Sequence, residues 1–157
     1  MSQRVDFNAT APGAYAAMLG LERYVRQSGL EHGLLELVKT RVSQINRCAF
    51  CIDMHTQDAR VAGESEQRLY ALSAWRETPF FTARERAALA WAEAVTRVAD
   101  AGVTDVDYAA ASEHFGDKEL VDLTLAIVAI NGWNRLAISF ATPAGNYRPA
   151  GKPLPGR

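Results

Sequence analysis

Residues 34–60 read LLELVKTRVSQINRCAFCIDMHTQDAR, and this stretch decides the fold. Leu34, Leu35, Leu37, Val38, Val42 and Ile45 recur at the three-and-four spacing of one helix face, which places a helix over roughly residues 30–45. Asn46 and Arg47 interrupt the pattern, with Asn46 in position to cap a second helix. That second helix carries Cys48, Cys51 and His55 and runs to Ala62, where Gly63 is a natural stop.

On a helix, positions 48, 51 and 55 differ by multiples of 100°, so their side chains share an arc of about 60°. Cys48 and Cys51 at i, i+3 have Cβ atoms about 5–6 Å apart, close enough for a disulfide without unwinding the helix. Cys51 and His55 at i, i+4 are also neighbours, so the imidazole can take the thiol proton. Both cysteines sit in the first turn, where unpaired N–H groups and the helix dipole favour a thiolate. If the break folds the two helices antiparallel, Glu36 comes opposite His55 with an offset of about 4.5 Å along the axis. A carboxylate there would orient and charge the imidazole. The competing reading makes Glu36 a solvated helix charge, like Glu22 and Glu31.

Outward from this hairpin the pattern stays helical, and the fold class is all-α. Pro12 opens a helix with Tyr15, Met18, Leu19, Leu21 and Val25 before Gly29. Ser65 starts a shorter helix through Tyr70 and Leu72 to Trp75, closed by Pro79. TARE (82–85) and TDVD (104–107) have capping-box character. Gly116 ends one helix, and Asp117 is placed to cap the long apolar helix after it. Polar Asp122, Asn131, Asn134 and Arg135 make residues 120–141 costly in hydrocarbon, so this helix reads as buried in a core or a subunit interface. Asn131, Asn134 and Arg135 are expected to hydrogen-bond buried backbone or to pair with a carboxylate at a helix packing seam, or else to line the thiol site. Trp75, Trp91 and Trp133 read as core or interface anchors, and His32 and His114 as capping or packing residues.

From Thr142 the composition changes: four of six prolines and three of eleven glycines fall within residues 142–157. That reads as an extended tail, disordered or draped over a neighbour, beyond a domain spanning residues 1–141. At 157 residues, 48% apolar and 22% charged, the chain suits one globular domain with its own core. A formal net charge of −1 offers no basic field for nucleic acid or an anionic membrane. The N-terminus lacks the charged-then-apolar pattern of a signal peptide, so a cytoplasmic location is expected. Thiols stay reduced there, and a CxxC pair in that compartment reacts or binds metal rather than stapling the fold. Metal is the weaker reading, because CxxCxxxH offers three ligands and no second ligand pair is present. An inert pair of buried cysteines is the other alternative.

Glu36, eleven intervening residues, then CAFCIDMH resembles the E-x11-C-x2-C-x3-H core of the AhpD-like alkylhydroperoxidases of the carboxymuconolactone decarboxylase superfamily. NGWNRLAISF (131–140) is also similar to single-core members of that group. The resemblance implies an all-helical fold with a helical hairpin carrying the thiols, and homo-oligomers, with trimers or hexamers typical. It implies that Cys51 attacks hydroperoxide, Cys48 resolves the sulfenic acid, and His55 and Glu36 relay the proton. It implies no bound cofactor or metal, and an external dithiol reductant such as a lipoyl or thioredoxin-like protein. Phe50 departs from AhpD, which has a second histidine there. A non-peroxidatic disulfide oxidoreductase or redox sensor, and a structural or metal-binding oligomer, are the alternatives.

Overall fold

The chain, in a computed structural model that describes residues 2–150, begins with a short helix α1 (Phe7–Thr10) capped by the Asp6 carboxylate. Helix α2 (Pro12–Arg26) comes next, its proline at the start where the missing N–H costs nothing. Helices α3 (His32–Asn46) and α4 (Ala49–Val61) form the expected hairpin. Helix α5 (Glu66–Ala71) is capped by Ser65 and runs into a 3-10 turn at Leu72–Glu77. Helix α6 (Ala83–Thr96), one-turn α7 (Val98–Ala101), α8 (Asp105–Ser112) and the long α9 (Asp117–Ser139) complete the described residues, which contain no strand.

The capping boxes at Thr82/Glu85 and Thr104/Asp107 form as their spacing predicts. Two other caps differ from expectation. Gly116, not Asp117, precedes α9, and its N–H donates to the Glu119 carboxylate. Asn46 is the last residue of α3 rather than the cap of α4; its amide donates to Asn131 and Asn134 of α9. Cys48 takes the cap instead, its sulfur accepting from the Cys51 N–H at 3.4 Å. Between the helices Arg47 adopts φ 58°, and the Cys48 N–H returns to the Ser43 carbonyl at 3.0 Å. That left-handed residue with its long-reach bond closes α3 and reverses the chain within a single residue.

Helix α3 is the centre of the molecule, packed against α4, α6 and α9. Val38 and Val42 of α3 meet Leu123, Ile127 and Ile130 of α9 in the main core. A second core gathers Leu37, Leu72, Trp75, Phe81 and Leu89 on the opposite side of α3. Burying a Leu or Ile side chain contributes about 1.5–3 kcal/mol, so these two clusters fix α3 from both flanks. α9 is long and apolar enough by composition to cross a membrane. Its inner face is core, however, and its polar Asp122 and Asn134 are buried and hydrogen-bonded within the chain. Asn134 bonds Ser43 and Asn46, so the α9 amides tie the end of α3 in place and do not line the thiol site. Arg135 is exposed and bonds Asn131 within its own helix.

The described part of the tail, residues 142–150, is laid over its own chain. The Gly145 N–H donates to Asp53 and the Tyr147 hydroxyl to Asp58, both on α4. The expected extended tail therefore exists as a strap across the thiol-bearing helix; residues 151–157 lie outside the described residues.

Candidate functional site

Cys48 and Cys51 are joined as a disulfide, with their Cα atoms 5.4 Å apart. Both are about 1% exposed, Cys48 as the cap of α4 and Cys51 three residues into it. One full turn on, His55 faces Glu36 of α3, its Nδ1 2.8 Å from Glu36 Oε2. The hairpin offset anticipated from chain geometry thus closes to a direct hydrogen bond. Both partners are buried, and Glu36 is far from a solvated charge.

Burial pushes the Glu36 carboxyl up, but the His55 hydrogen bond and the charges of His55, Lys39 and His32 outweigh it and hold the pKa below the ordinary value. Glu36 is therefore an anion that fixes the imidazole tautomer, leaving the other ring nitrogen to exchange protons. His32, expected only to cap or pack, is exposed with Nε2 3.9 Å from the second Glu36 oxygen. Its i, i+4 spacing to Glu36 is a readable signal for that contact.

Cys51 and His55 open onto a cavity of about 400 Å³, whereas Cys48 does not line it. The opposite wall is aromatic: Tyr15 meets Trp133 at 5.7 Å between ring centroids, and Phe7 meets Tyr15 at 6.3 Å. Phe50 contributes an apolar face beside Cys51. Trp75 and Trp91 are core residues as expected, whereas Trp133 belongs to the cavity.

Sequence reasoning missed several members of this site. Glu22, which reads as a solvated charge, lines the cavity and pairs with Lys39, which is only 2% exposed. Burial pushes Glu22 up, but the charge and hydrogen bond of Lys39 bring its pKa below the ordinary value. Asp58 lies one turn beyond His55 and lines the cavity; the i, i+3 spacing marks it, though nothing marks its partner. Tyr147 donates to both Asp58 oxygens, at 2.8 and 3.0 Å, from 89 positions away. Glu36, His55 and Asp58 bring ligand atoms within 4.8 Å of one another, the donor types a divalent cation uses. In this structure Glu36 is committed to His55 and Asp58 to Tyr147.

Chemically, the arrangement offers a redox-capable sulfur pair, a buried base next to one sulfur, and an apolar chamber reaching only that sulfur. The model of the carboxymuconolactone decarboxylase family matches residues 12–94. YdfG, an uncharacterized protein of Bacillus subtilis, is 45% identical over 146 residues, covering 93% of this chain and 99% of YdfG. A crystal structure from Agrobacterium tumefaciens, of a protein of unknown function described as a candidate AhpD antioxidant defence protein, superposes with a TM-score of 0.90. It is 44% identical and covers 93% of this chain and all of its own. The debrominase Bmp8 shares the fold alone, at 16% identity and a TM-score of 0.79 over 88% of this chain and 74% of its own.

Proposed function

This chain belongs to the carboxymuconolactone decarboxylase family as an AhpD-like protein, and from that premise we propose that it is a thiol-dependent peroxidase. Reduced Cys51 gives its proton to His55, which Glu36 holds ready. The thiolate attacks the outer oxygen of a hydroperoxide ROOH, breaking the O–O bond and forming Cys51–SOH; the departing RO⁻ takes up a proton to become ROH. Cys48–SH then attacks the sulfenic sulfur, releasing water and forming the disulfide. An external dithiol, oxidised in turn, restores both thiols. No bound cofactor or metal enters the cycle.

The observation that carries this reading is the asymmetry of the two sulfurs: Cys51 faces the cavity beside a carboxylate-held histidine, and Cys48 does not. It supports attack by Cys51 and resolution by Cys48. Exposed Val121, Val128 and Ile138 on the outer side of α9 support assembly into a homo-oligomer. A cytoplasmic setting would supply the reducing dithiol.

Cys48 as the helix cap favours a second reading. A capping thiolate is stabilised by the helix N-terminus, which suits plain dithiol–disulfide exchange without peroxide. One experiment separates them: stopped-flow mixing of the reduced protein with hydrogen peroxide and with an organic hydroperoxide, then thiol counting. The peroxidase loses both thiols of the chain per hydroperoxide consumed. In Cys48→Ser a sulfenic acid accumulates at Cys51 and reacts with a cyclic diketone probe. Parental peroxide consumption by Cys51→Ser would overturn the assignment, and thiols that exchange with dithiols but ignore both peroxides would select the second reading.

A further inference from the structure

We propose that Asp58, positioned by Tyr147, carries the proton from His55 to the alkoxide oxygen that leaves when Cys51 is oxidised. The proposal rests on the peroxidase reading, and it names a group that the Glu36–His55 relay does not contain. Thiolate attack forms the S–O bond and sends the O–O electron pair away with the RO oxygen. An alkoxide is a poor leaving group unless a proton reaches it, and the proton in the site is the one His55 has taken from Cys51. Transfer from His55 to Asp58 and on to RO⁻ yields ROH, returns His55 to neutral and returns Asp58 to its anion. Nothing else is consumed.

Asp58 lies one turn past His55 on α4 and lines the same cavity as Cys51 and His55. A carboxylate oxygen lies within 4.8 Å of a His55 ring nitrogen, a gap that one water or a small side-chain rotation spans. The Tyr147 hydroxyl donates to both carboxylate oxygens, and Tyr147 also lines the cavity, so the carboxylate is aimed from the strap side.

The electrostatics support the division of labour. Burial pushes Asp58 up; the Tyr147 hydrogen bond opposes this, the charge of Glu36 adds to it, and the net pKa is above the ordinary value. Glu36 is held below its own. Two carboxylates beside one imidazole, pushed in opposite directions, separate a permanent anion from a proton carrier. Were the Tyr147–Asp58 contact only a clamp for the strap, its loss would affect every oxidant alike.

The test uses leaving-group dependence in the reduced full-length protein. tert-Butyl hydroperoxide releases an alkoxide that needs a proton; peracetic acid releases acetate, which does not. In stopped-flow single turnovers read by residual thiol, Asp58→Asn is expected to slow the first about 10–100-fold and the second less than about 3-fold. Tyr147→Phe shows the same selectivity at roughly 3–10-fold, and Asp58→Glu recovers part of the tert-butyl hydroperoxide rate. The peracetic acid rate doubles as a control for an intact site. Equal slowing with both oxidants, or none, overturns the proposal while leaving the Cys51 assignment standing. Thiols in the unmodified protein that react with neither oxidant overturn both.

Discussion

Two buried carboxylates, Glu36 on helix α3 and Glu93 facing that helix from α6, have opposite surroundings. Glu93 of α6 accepts hydrogen bonds from Arg41 at 2.8 Å, from the Trp75 indole at 2.9 Å, and from Arg76. Arg41 and Arg76 also neutralise its charge, and Arg76 stacks on the Trp75 ring at 4.1 Å. Burial pushes Glu93 up, but the bonds from Trp75, Arg76 and Arg41 outweigh it and hold the pKa below the ordinary value. Every donor there is pinned, and Glu93 does not line the thiol chamber. Glu36 is just as buried but pairs with a titratable imidazole, beside a space large enough for a small molecule. A saturated ion network holds elements together; a carboxylate bonded to an imidazole next to a void is a candidate for chemistry.

Substitutions that break each half of this contrast are expected to give effects of decreasing size. Removing the proposed nucleophile comes first: Cys51→Ser should abolish hydroperoxide consumption in a coupled dithiol assay. His55→Ala should slow thiol oxidation at pH 7 by about 10²–10⁴-fold, as loss of the proposed general base would, and should also lower the melting temperature, because the buried Glu36 carboxylate loses its partner. Glu36→Gln keeps the imidazole but loosens its tautomer, and should cost about 10–100-fold in the same measurement.

On the other flank the readout changes from rate to stability. Glu93→Gln leaves Arg41 without its buried counter-ion and should lower stability by about 3 kcal/mol, with thiol oxidation unaltered. For a chain of this size that is a fall of roughly 6–12 °C in thermal unfolding. Its pH dependence has a definite sign. The folded pKa of Glu93 is depressed, so its contribution is present above the unfolded value of about 4.3 and is lost as pH falls through the folded pKa. Acid melting of Glu93→Gln should therefore be flatter than that of the parent below about pH 4.

Asp58 provides the smallest and most pointed comparison. Its folded pKa is raised, so at neutral pH its ionised form costs stability, and that cost is relieved as pH falls through the folded value. Asp58→Asn keeps an acceptor for Tyr147 and should raise the melting temperature at pH 7 by on the order of 1 °C. A fall of several degrees would mean that the Tyr147 contact serves as a clamp first.

The sequence determined the helical hairpin, the shared face of Cys48, Cys51 and His55, and the approach of Glu36. Those facts come from 3.6 residues per turn and one short break, which are local rules. The capping boxes and the buried character of α9 are legible for the same reason. Asn46 shows where local rules stop: it has a cap's composition, yet its amide serves the Asn131–Asn134 seam and a sulfur caps α4. Glu22 looks like a surface charge along α2 until α3 brings Lys39 against it. Only the tertiary structure decided which sulfur faces the cavity, that Phe7, Tyr15 and Trp133 build its wall, and that residues 142–150 return across α4. Tyr147 and Asp58 are 89 positions apart, and no periodicity reaches that far. Helix geometry is a property of neighbouring residues, whereas a cavity is what remains between elements once each has found the partner that buries it best.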